Sequence, residues 1–387
     1  MNNFDQIINR QNTKSEKWDT LENNTALPFT VADTDFGVAT EIIEGIRKRA
    51  QHPILGYTTL EDSFYDSITS FVTRHHSWNI SKEAIHITPG VMAGVGIALD
   101  SLTQEGDEII IQTPVYTPFF RVIEKNNRKI VRNPLILKDG LFTINFTQLD
   151  QQLATAKALL LCNPHNPTGR VYTKEELEKI AQLAQKHQVL IISDEIHSDI
   201  IYEGYKHIPI ASISDYAKAN TITMIAPSKT FNIPGLSTSV AIIENPEIRK
   251  IFFNKLRALG LHEGNVFGVE ALEIAYSKCD SWLFNLREYL EENSKLVEAF
   301  IKDKLPKVVC SLPEGTFLMW LDFSSYGDHR AIIEALIKAD VILTDGLIYG
   351  HEALGYLRLN IGCPKETLIE GLNRIYTGIK ALGGNNA

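Results

Sequence analysis

The chain is poor in cysteine, has no run of basic residues and has no long apolar stretch, and each shortage closes off a class of protein. The cysteines are four in 387 residues: Cys162, Cys279, Cys310 and Cys363. No two of them form a C-x-x-C pair, so neither a zinc knuckle nor a dithiol redox motif is indicated. No apolar stretch approaches the ~18 residues that span a bilayer, so no membrane partner is expected. The polar start, Met1 to Lys17, lacks the apolar core of a signal peptide. A cytoplasmic protein with reduced thiols is the expectation. Net charge is -9, and lysines and arginines are scattered, which argues against a nucleic-acid surface. Asp33 and Asp35 form a conspicuous acidic pair, but no further ligand residues accompany them. No metal is expected there, and a structural role in the N-terminal segment is the better reading.

What is present is an ordinary globular composition, 44% hydrophobic, with no repeat and no low-complexity linker. A single core stops growing at about 250–300 residues, so a chain of this length predicts two domains. Short apolar runs alternate with helical patterns, which predicts an α/β layered architecture. The strand candidates are 108–112, 158–162, 189–193, 221–225 and 239–243. Most are apolar on both faces, as strands buried between helix layers must be. Helical patterns cover 40–51, 61–76, 93–102, 174–187 and 266–276. A long one, 282–304, looks like a bridge between domains. Strand-like 317–322, a helix from 331, strand 356–361 and a helix from 365 then read as a smaller α+β unit. The expected division is a large domain over 49–281 and a small domain over 1–48 with 282–387.

Polar clusters follow four of the strand candidates. Strand 108–112 runs into Thr113-Pro114-Val115-Tyr116, and 158–162 into Asn163-Pro164-His165-Asn166-Pro167-Thr168-Gly169. Strand 189–193 runs into Asp194-Glu195-Ile196-His197, and 221–225 into Ala226-Pro227-Ser228-Lys229. Ligands of open α/β sheets bind beyond the carboxyl ends of the strands. If these strands are parallel, all four clusters line one cleft.

Chemistry selects a ligand for such a cleft. An uncharged lysine suits a Schiff base with an aldehyde, which points to pyridoxal 5'-phosphate held on Lys229. That cofactor also needs a carboxylate beside its pyridine nitrogen, and Asp194 at a strand end can serve. The asparagine cluster offers amide donors for the phenolic oxygen, and Tyr116 a flat face for the ring. Gly90-Val91-Met92 opens a helical pattern and can present backbone N–H groups to the phosphate. Each residue alone has a bland reading: a turn, a helix cap, a solvated charge, a packing aromatic. Their order on successive strand ends is what carries weight.

Asn163-Pro-His-Asn-Pro-Thr-Gly169, Ser193-Asp-Glu-Ile-His197, Ser228-Lys-Thr-Phe-Asn232 and Leu357-Arg-Leu-Asn-Ile-Gly362 resemble the class I/II aminotransferase superfamily, whose members are pyridoxal-phosphate enzymes of fold type I. The resemblance runs from about residue 25 to about 380. It implies a large domain with a mostly parallel sheet between helices, plus a smaller α+β domain. Val31-Ala-Asp-Thr-Asp-Phe36, Gly56-Tyr57-Thr58, Thr113-Pro-Val-Tyr-Thr-Pro118, Asp194-Glu-Ile-His-Ser198 and Ala226-Pro-Ser-Lys-Thr-Phe-Asn232 look like the cystathionine β-lyase-type branch. Enzymes of that branch cleave the Cβ–S bond of cysteine derivatives.

The resemblance implies roles. Lys229 matches the Schiff-base lysine, Asp194 the pyridinium partner, Asn166 the donor to the phenolic oxygen and Tyr116 the stacking aromatic. Gly90, Val91 and Met92 match the phosphate-cradling turn, and Ser228 and His197 are counted among the cofactor-binding residues. Arg358 matches the clamp on the substrate carboxylate, where a planar fork with two donors is suited. Leu357, Leu359 and Ile361 share one face of their strand, and Arg358 and Asn360 the other. Tyr57 matches a tyrosine that reaches the cofactor phosphate of a neighbouring subunit, which implies a homodimer. Two departures from typical aminotransferases fit the lyase branch: Ser237 stands where they carry an arginine, and His197 where they carry a tyrosine. Phe29-Thr30 replace a tryptophan common in the branch, so the substrate pocket is expected to differ. The implied activity is α,β-elimination from a sulfur amino acid such as cystathionine, giving a thiol, pyruvate and ammonia. An aminotransferase on the same scaffold is the alternative. A regulator that binds the cofactor and a protein partner is a third reading of a different class.

Overall fold

Five-residue runs without a solvent-seeking side chain have two faces to bury, and here both are covered. The computed structural model describes residues 3–138 and 140–383. Ten strands come first: β1 (Leu27–Phe29), β2 (Ile85–Thr88), β3 (Glu108–Ile111), β4 (Lys129–Arg132), β5 (Ile136–Lys138), β6 (Leu141–Thr143), β7 (Ala158–Cys162), β8 (Leu190–Asp194), β9 (Thr221–Ile225) and β10 (Ser239–Ile242). Four more follow: β11 (Val309–Cys310), β12 (Leu318–Asp322), β13 (Val341–Asp345) and β14 (Tyr356–Asn360). The large sheet has the order β2-β10-β9-β8-β7-β3-β4. Its strands are parallel except β10, which runs against both neighbours. β5 and β6 form a separate hairpin.

The alternation along β7 shows how the layers form. Leu160 packs with helices Val91–Leu102, Pro118–Lys125 and Pro246–Ala258 on one face. Leu159 and Leu161 pack with Phe146–Leu153 and Lys174–His187 on the other. Each such leucine contributes on the order of 2 kcal/mol by leaving water. Helix Lys174–His187 starts where a capping box fixes it. The Thr173 hydroxyl accepts from the Glu176 N–H at 3.2 Å, and the Glu176 carboxylate accepts from the Thr173 N–H at 2.8 Å. The sequence did not anticipate β2, β4 or the helices Pro118–Lys125 and Pro246–Ala258. β8 also extends one residue further than expected, so that Asp194 is its last residue.

The second sheet has the order β1-β13-β14-β12-β11. Leu27 to Phe29 pair in parallel with Val341 to Leu343, so the N-terminal residues do join this sheet. Leu357, Leu359 and Ile361 are buried in a core with residues of helices His329–Lys338 and Lys365–Gly383. Arg358 therefore lies on the opposite face, with Trp320 and Thr344 as its neighbours across the ladder. The long helix Asp280–Lys304 ties the two sheets. Arg287 Nε donates to the Asp199 carbonyl at 2.5 Å, and Asn293 Nδ2 donates to the Ile361 and Cys363 carbonyls, each at 2.9 Å. Among the described residues no helix is long and apolar enough to cross a membrane.

Candidate active site

Because β3, β7, β8 and β9 are parallel, their carboxyl ends share one edge, and the four polar clusters meet there. Two adjoining cavities open at this edge. The inner one, about 210 Å³, is lined by Gly90, Val91, Met92, Asn166, Asp194, His197, Ser228 and Ser237, among others. The outer one, about 940 Å³, lies against the N-terminal segment and Arg358. Lys229 and Tyr116 line both, so the lysine stands at their junction.

Electrostatics differ sharply across this junction. Asp194 is buried, and its Oδ1 accepts from the Ile196 N–H at 3.1 Å. Burial pushes its carboxyl up to about 7, against the pull of that N–H and of Lys229. Lys229 Nζ donates to the Ala32 carbonyl at 2.6 Å. Burial, reinforced by repulsion from Arg358, pulls the ammonium down to about 8. Such a lysine is a far better base and nucleophile near neutral pH than an exposed one. Burial drops His197 to about 3, with Lys229 and Arg358 adding to the effect, so its ring is neutral. Its Nδ1 has no hydrogen-bond partner among the described residues. Burial raises the Tyr116 hydroxyl to about 12, and it stays protonated.

Arg358 is buried on its strand face and held by protein oxygens. Nη2 donates to the Thr30 carbonyl at 2.6 Å, and Nη1 donates to Asn166 Oδ1 at 3.2 Å. The Tyr349 ring lies 5.2 Å from the guanidinium carbon, at cation–π range. Its Nε has no partner among the described residues. With Oδ1 taken by Arg358, the Asn166 amide offers its Nδ2 to a ligand. Gly90, which lines the inner cavity, caps helix Val91–Leu102 with φ 128°, a conformation that favours glycine. The first-turn N–H groups of that helix have no partner within it and suit an anion.

These residues fit pyridoxal phosphate. A buried carboxylate lifted to about 7 gains most from a cation placed against it, as a protonated pyridine nitrogen would be. A lysine of lowered pKa faces the same space as an aromatic ring and a helix N-terminus. The chemistry of the donor set is thus that of an aldehyde-bearing pyridine with a phosphate arm.

Of the residues expected from sequence, Lys229, Asp194, Asn166, Tyr116, His197, Gly90, Val91, Met92 and Ser228 do line one cavity, and Arg358 lines the adjoining one. Tyr57 stands apart, 96% exposed on the loop before helix Asp62–His76 and lining neither cavity. Asp33 and Asp35 hold cationic side chains. Arg10 donates to both carboxylates, at 2.6 Å to Asp33 and 2.7 Å to Asp35, and Lys17 Nζ reaches Asp35 at 2.8 Å. Sequence reasoning missed the Thr30 and Ala32 carbonyls and Tyr349. Backbone oxygens carry no residue signature, and Tyr349 stands in no motif. Asn232 does stand in a quoted motif. Its amide donates to the Thr34 and Phe36 carbonyls at 3.0 and 2.9 Å, tying the 34–36 segment to the chain just after the short helix Pro227–Thr230 that carries Lys229.

The chain matches the family model for aminotransferase class I and II over residues 25–375. It is 42% identical to the cystathionine beta-lyase PatB of Bacillus subtilis, over 96% of this chain and 98% of that one. It is 33% identical to the protein MalY of Escherichia coli, over 99% and 100% of the two chains. Among solved structures, cystalysin from Treponema denticola, which contains pyridoxal 5'-phosphate, superposes with a TM-score of 0.96 at 38% identity, covering 99% of this chain and 100% of that one.

Proposed function

The chain belongs to the family of class I and II aminotransferases, and from this premise we propose that it is a pyridoxal-phosphate-dependent carbon–sulfur β-lyase. It takes cystathionine, cysteine or a related S-substituted cysteine to a thiol, pyruvate and ammonia. The observation that carries the cofactor assignment is the joint lining of one small cavity by Lys229, Asp194, Asn166 and the Gly90–Met92 turn. Elimination is supported by the likeness to a cystathionine β-lyase along almost the whole of both chains.

When bound, the cofactor supplies an electron-withdrawing protonated ring next to the substrate Cα. Everything else falls to the chain. Lys229 would anchor the cofactor, and its Nζ is placed to take the proton from the substrate Cα. Its lowered pKa leaves a usable neutral fraction near pH 7–8. Asp194 would hold the ring nitrogen's proton by charge. Tyr116 would cover the ring face, Asn166 Nδ2 would donate to the phenolic oxygen, and the N–H groups of Val91 and Met92, with Ser228, would bind the phosphate. His197, neutral, would border the ring. Arg358 turns its guanidinium from the Thr30 carbonyl to the substrate carboxylate, which fixes the Cα–H bond for proton removal. The thiolate then leaves from Cβ.

The active unit is a cytoplasmic homodimer, with Tyr57 of each subunit reaching the other's phosphate. The exposure of Tyr57 beside exposed Ile54 and Leu55 supports this arrangement. The large domain is 49–281, and the small domain is 1–48 with 282–387. Incubation with L-cystathionine and no keto acid tests the reaction. Steady multiple-turnover release of pyruvate and thiol is expected. A single half-turnover that resumes only on adding a keto acid would make the protein an aminotransferase instead.

A further inference from the structure

The outer cavity is more than four times the volume of the inner one, about 940 against 210 Å³. A cysteine anchored between Arg358 and Lys229 occupies only its floor, so the remainder must hold what is attached to sulfur. Its roof is the loop at residues 10–19, which is firmly built. The Asp19 carboxylate accepts from the N–H groups of Asn12, Thr13 and Ser15 at 2.7, 3.0 and 2.9 Å. Asn12 and Lys14 hold left-handed backbone, φ 61° and 62°, inside this turn. Arg10 and Lys17 are committed to Asp33 and Asp35, and Trp18 Nε1 adds a bond to Asp35 at 3.0 Å.

Two charged side chains of the loop are left over. Lys14 and Glu16 both line the outer cavity together with Tyr116, Ile348 and Arg358, and neither has a side-chain partner among the described residues. Their charges are opposite, and they sit two residues apart on a fixed turn. Glu16 is close enough for its charge to act on Lys229.

We propose that Lys14 and Glu16 are a specificity-determining pair that recognises the ammonium and carboxylate at the far end of a cystathionine-like substrate. Glu16 receives the distal ammonium and Lys14 the distal carboxylate, while the thioether stem passes Tyr116 and Ile348. This assignment rests on the β-lyase reading for the orientation of the cysteine half.

The test is equilibrium binding to holoenzyme, read by the change in cofactor absorbance. One ligand is 2,7-diaminooctanedioate, a cystathionine analogue with methylene in place of sulfur. The other is 2-aminooctanoate, which has a similar stem and no distal charges. Wild type is expected to prefer the dipolar ligand. Lys14→Met and Glu16→Gln should each lower that preference about fivefold, the size of one solvent-facing ion pair. Lys14→Arg should retain it. Equal affinity of wild type for the two ligands, or a preference unchanged in both variants, would overturn the proposal. Neither ligand can expel a thiol, so the outcome does not depend on elimination. Absence of pyruvate release from cystathionine would sink the lyase reading alone.

Discussion

Replacing Asp35 by asparagine keeps the shape of the side chain and removes the charge that three donors share. In the native chain Oδ2 faces the ammonium of Lys17 at 2.8 Å, and Oδ1 faces Arg10 and Trp18. Lys17 is 1% exposed, so the substitution leaves an uncompensated cation away from water. Breaking one partner of a buried pair costs about 3–5 kcal/mol. Arg10 retains Asp33, and the two sheets do not depend on this contact. The cost should therefore appear as local opening of residues 10–19 and not as global unfolding. Hydrogen exchange is the assay. The amides of Asn12, Thr13, Ser15 and Asp19 are hydrogen-bonded within the loop. They should exchange roughly two to four orders of magnitude faster in Asp35→Asn, with β7 and β8 unchanged. Asp33→Asn is the internal comparison. Its pair with Arg10 is partly exposed, 17% and 20% by side chain, so its loss should cost only about 1 kcal/mol or less. Equal acceleration in the two variants, no acceleration in Asp35→Asn, or a uniform rise along the chain would refute the reasoning.

Lys229→Ala should abolish both the yellow colour and borohydride fixation of the cofactor to the protein; a variant that still fixed cofactor with full turnover would remove Lys229 from its role. Burial lifts the folded-state pKa of Asp194 from 3.8 to about 7, so the folded cofactor-free protein holds that proton more tightly than the unfolded chain. The associated stability is fully present below about pH 4 and is lost as pH rises through 7, roughly 4 kcal/mol in all. Buried, neutral His197 contributes in the opposite sense over part of this window, so the effect is read as a difference: the urea midpoint of cofactor-free wild type relative to Asp194→Asn should decrease between about pH 4 and 7, and a difference that does not change with pH would contradict the assignment. Mixing Tyr57→Phe with Lys229→Ala subunits should restore activity, because a mixed dimer has one site free of both lesions; two inactive proteins that stay inactive after verified exchange would speak against a shared site. Gly169 has φ 71°, and a Cβ there would lie 2.6 Å from Pro313 Cβ. Gly169→Ala should therefore lower stability by about 2 kcal/mol in chemical denaturation, and a shift near zero would show that the 163–169 turn yields easily.

The parts of the fold that could be read in the chain were those whose burial is complete. β7 and β9 have every residue buried, and a stretch such as Leu159-Leu160-Leu161 has no other place to go. β2 was missed because Ile85-His86-Ile87-Thr88 is short and puts a histidine among its apolar residues. β4 was missed because, at the sheet edge, it begins and ends on the basic residues Lys129 and Arg132, with Lys129 exposed and the other three only half-buried. Within the site, side chains at strand ends were legible because residue type and position both signal chemistry. The carbonyls of Thr30 and Ala32 were not, since what matters there is where a bend brings the backbone. Tyr57 was legible only by resemblance, and within one chain it stands clear of the cavities that Lys229 lines.

Those two carbonyls have a consequence for selectivity. Thr30 O and Ala32 O, two residues apart, hold the guanidinium of Arg358 and the ammonium of Lys229 at 2.6 Å each. At Arg358 the segment thus behaves as a built-in competitor, engaging the guanidinium that a substrate carboxylate would engage. An entering ligand gains only the difference between its own hydrogen bonds and those it displaces. A carboxylate, with its full charge and two parallel acceptors, wins that exchange against one neutral carbonyl; an ester or a primary amide has little margin over it. The site can therefore turn away uncharged mimics of its substrate without a steric barrier. It does so by setting a threshold of charge that an amino acid passes and its neutral derivatives do not.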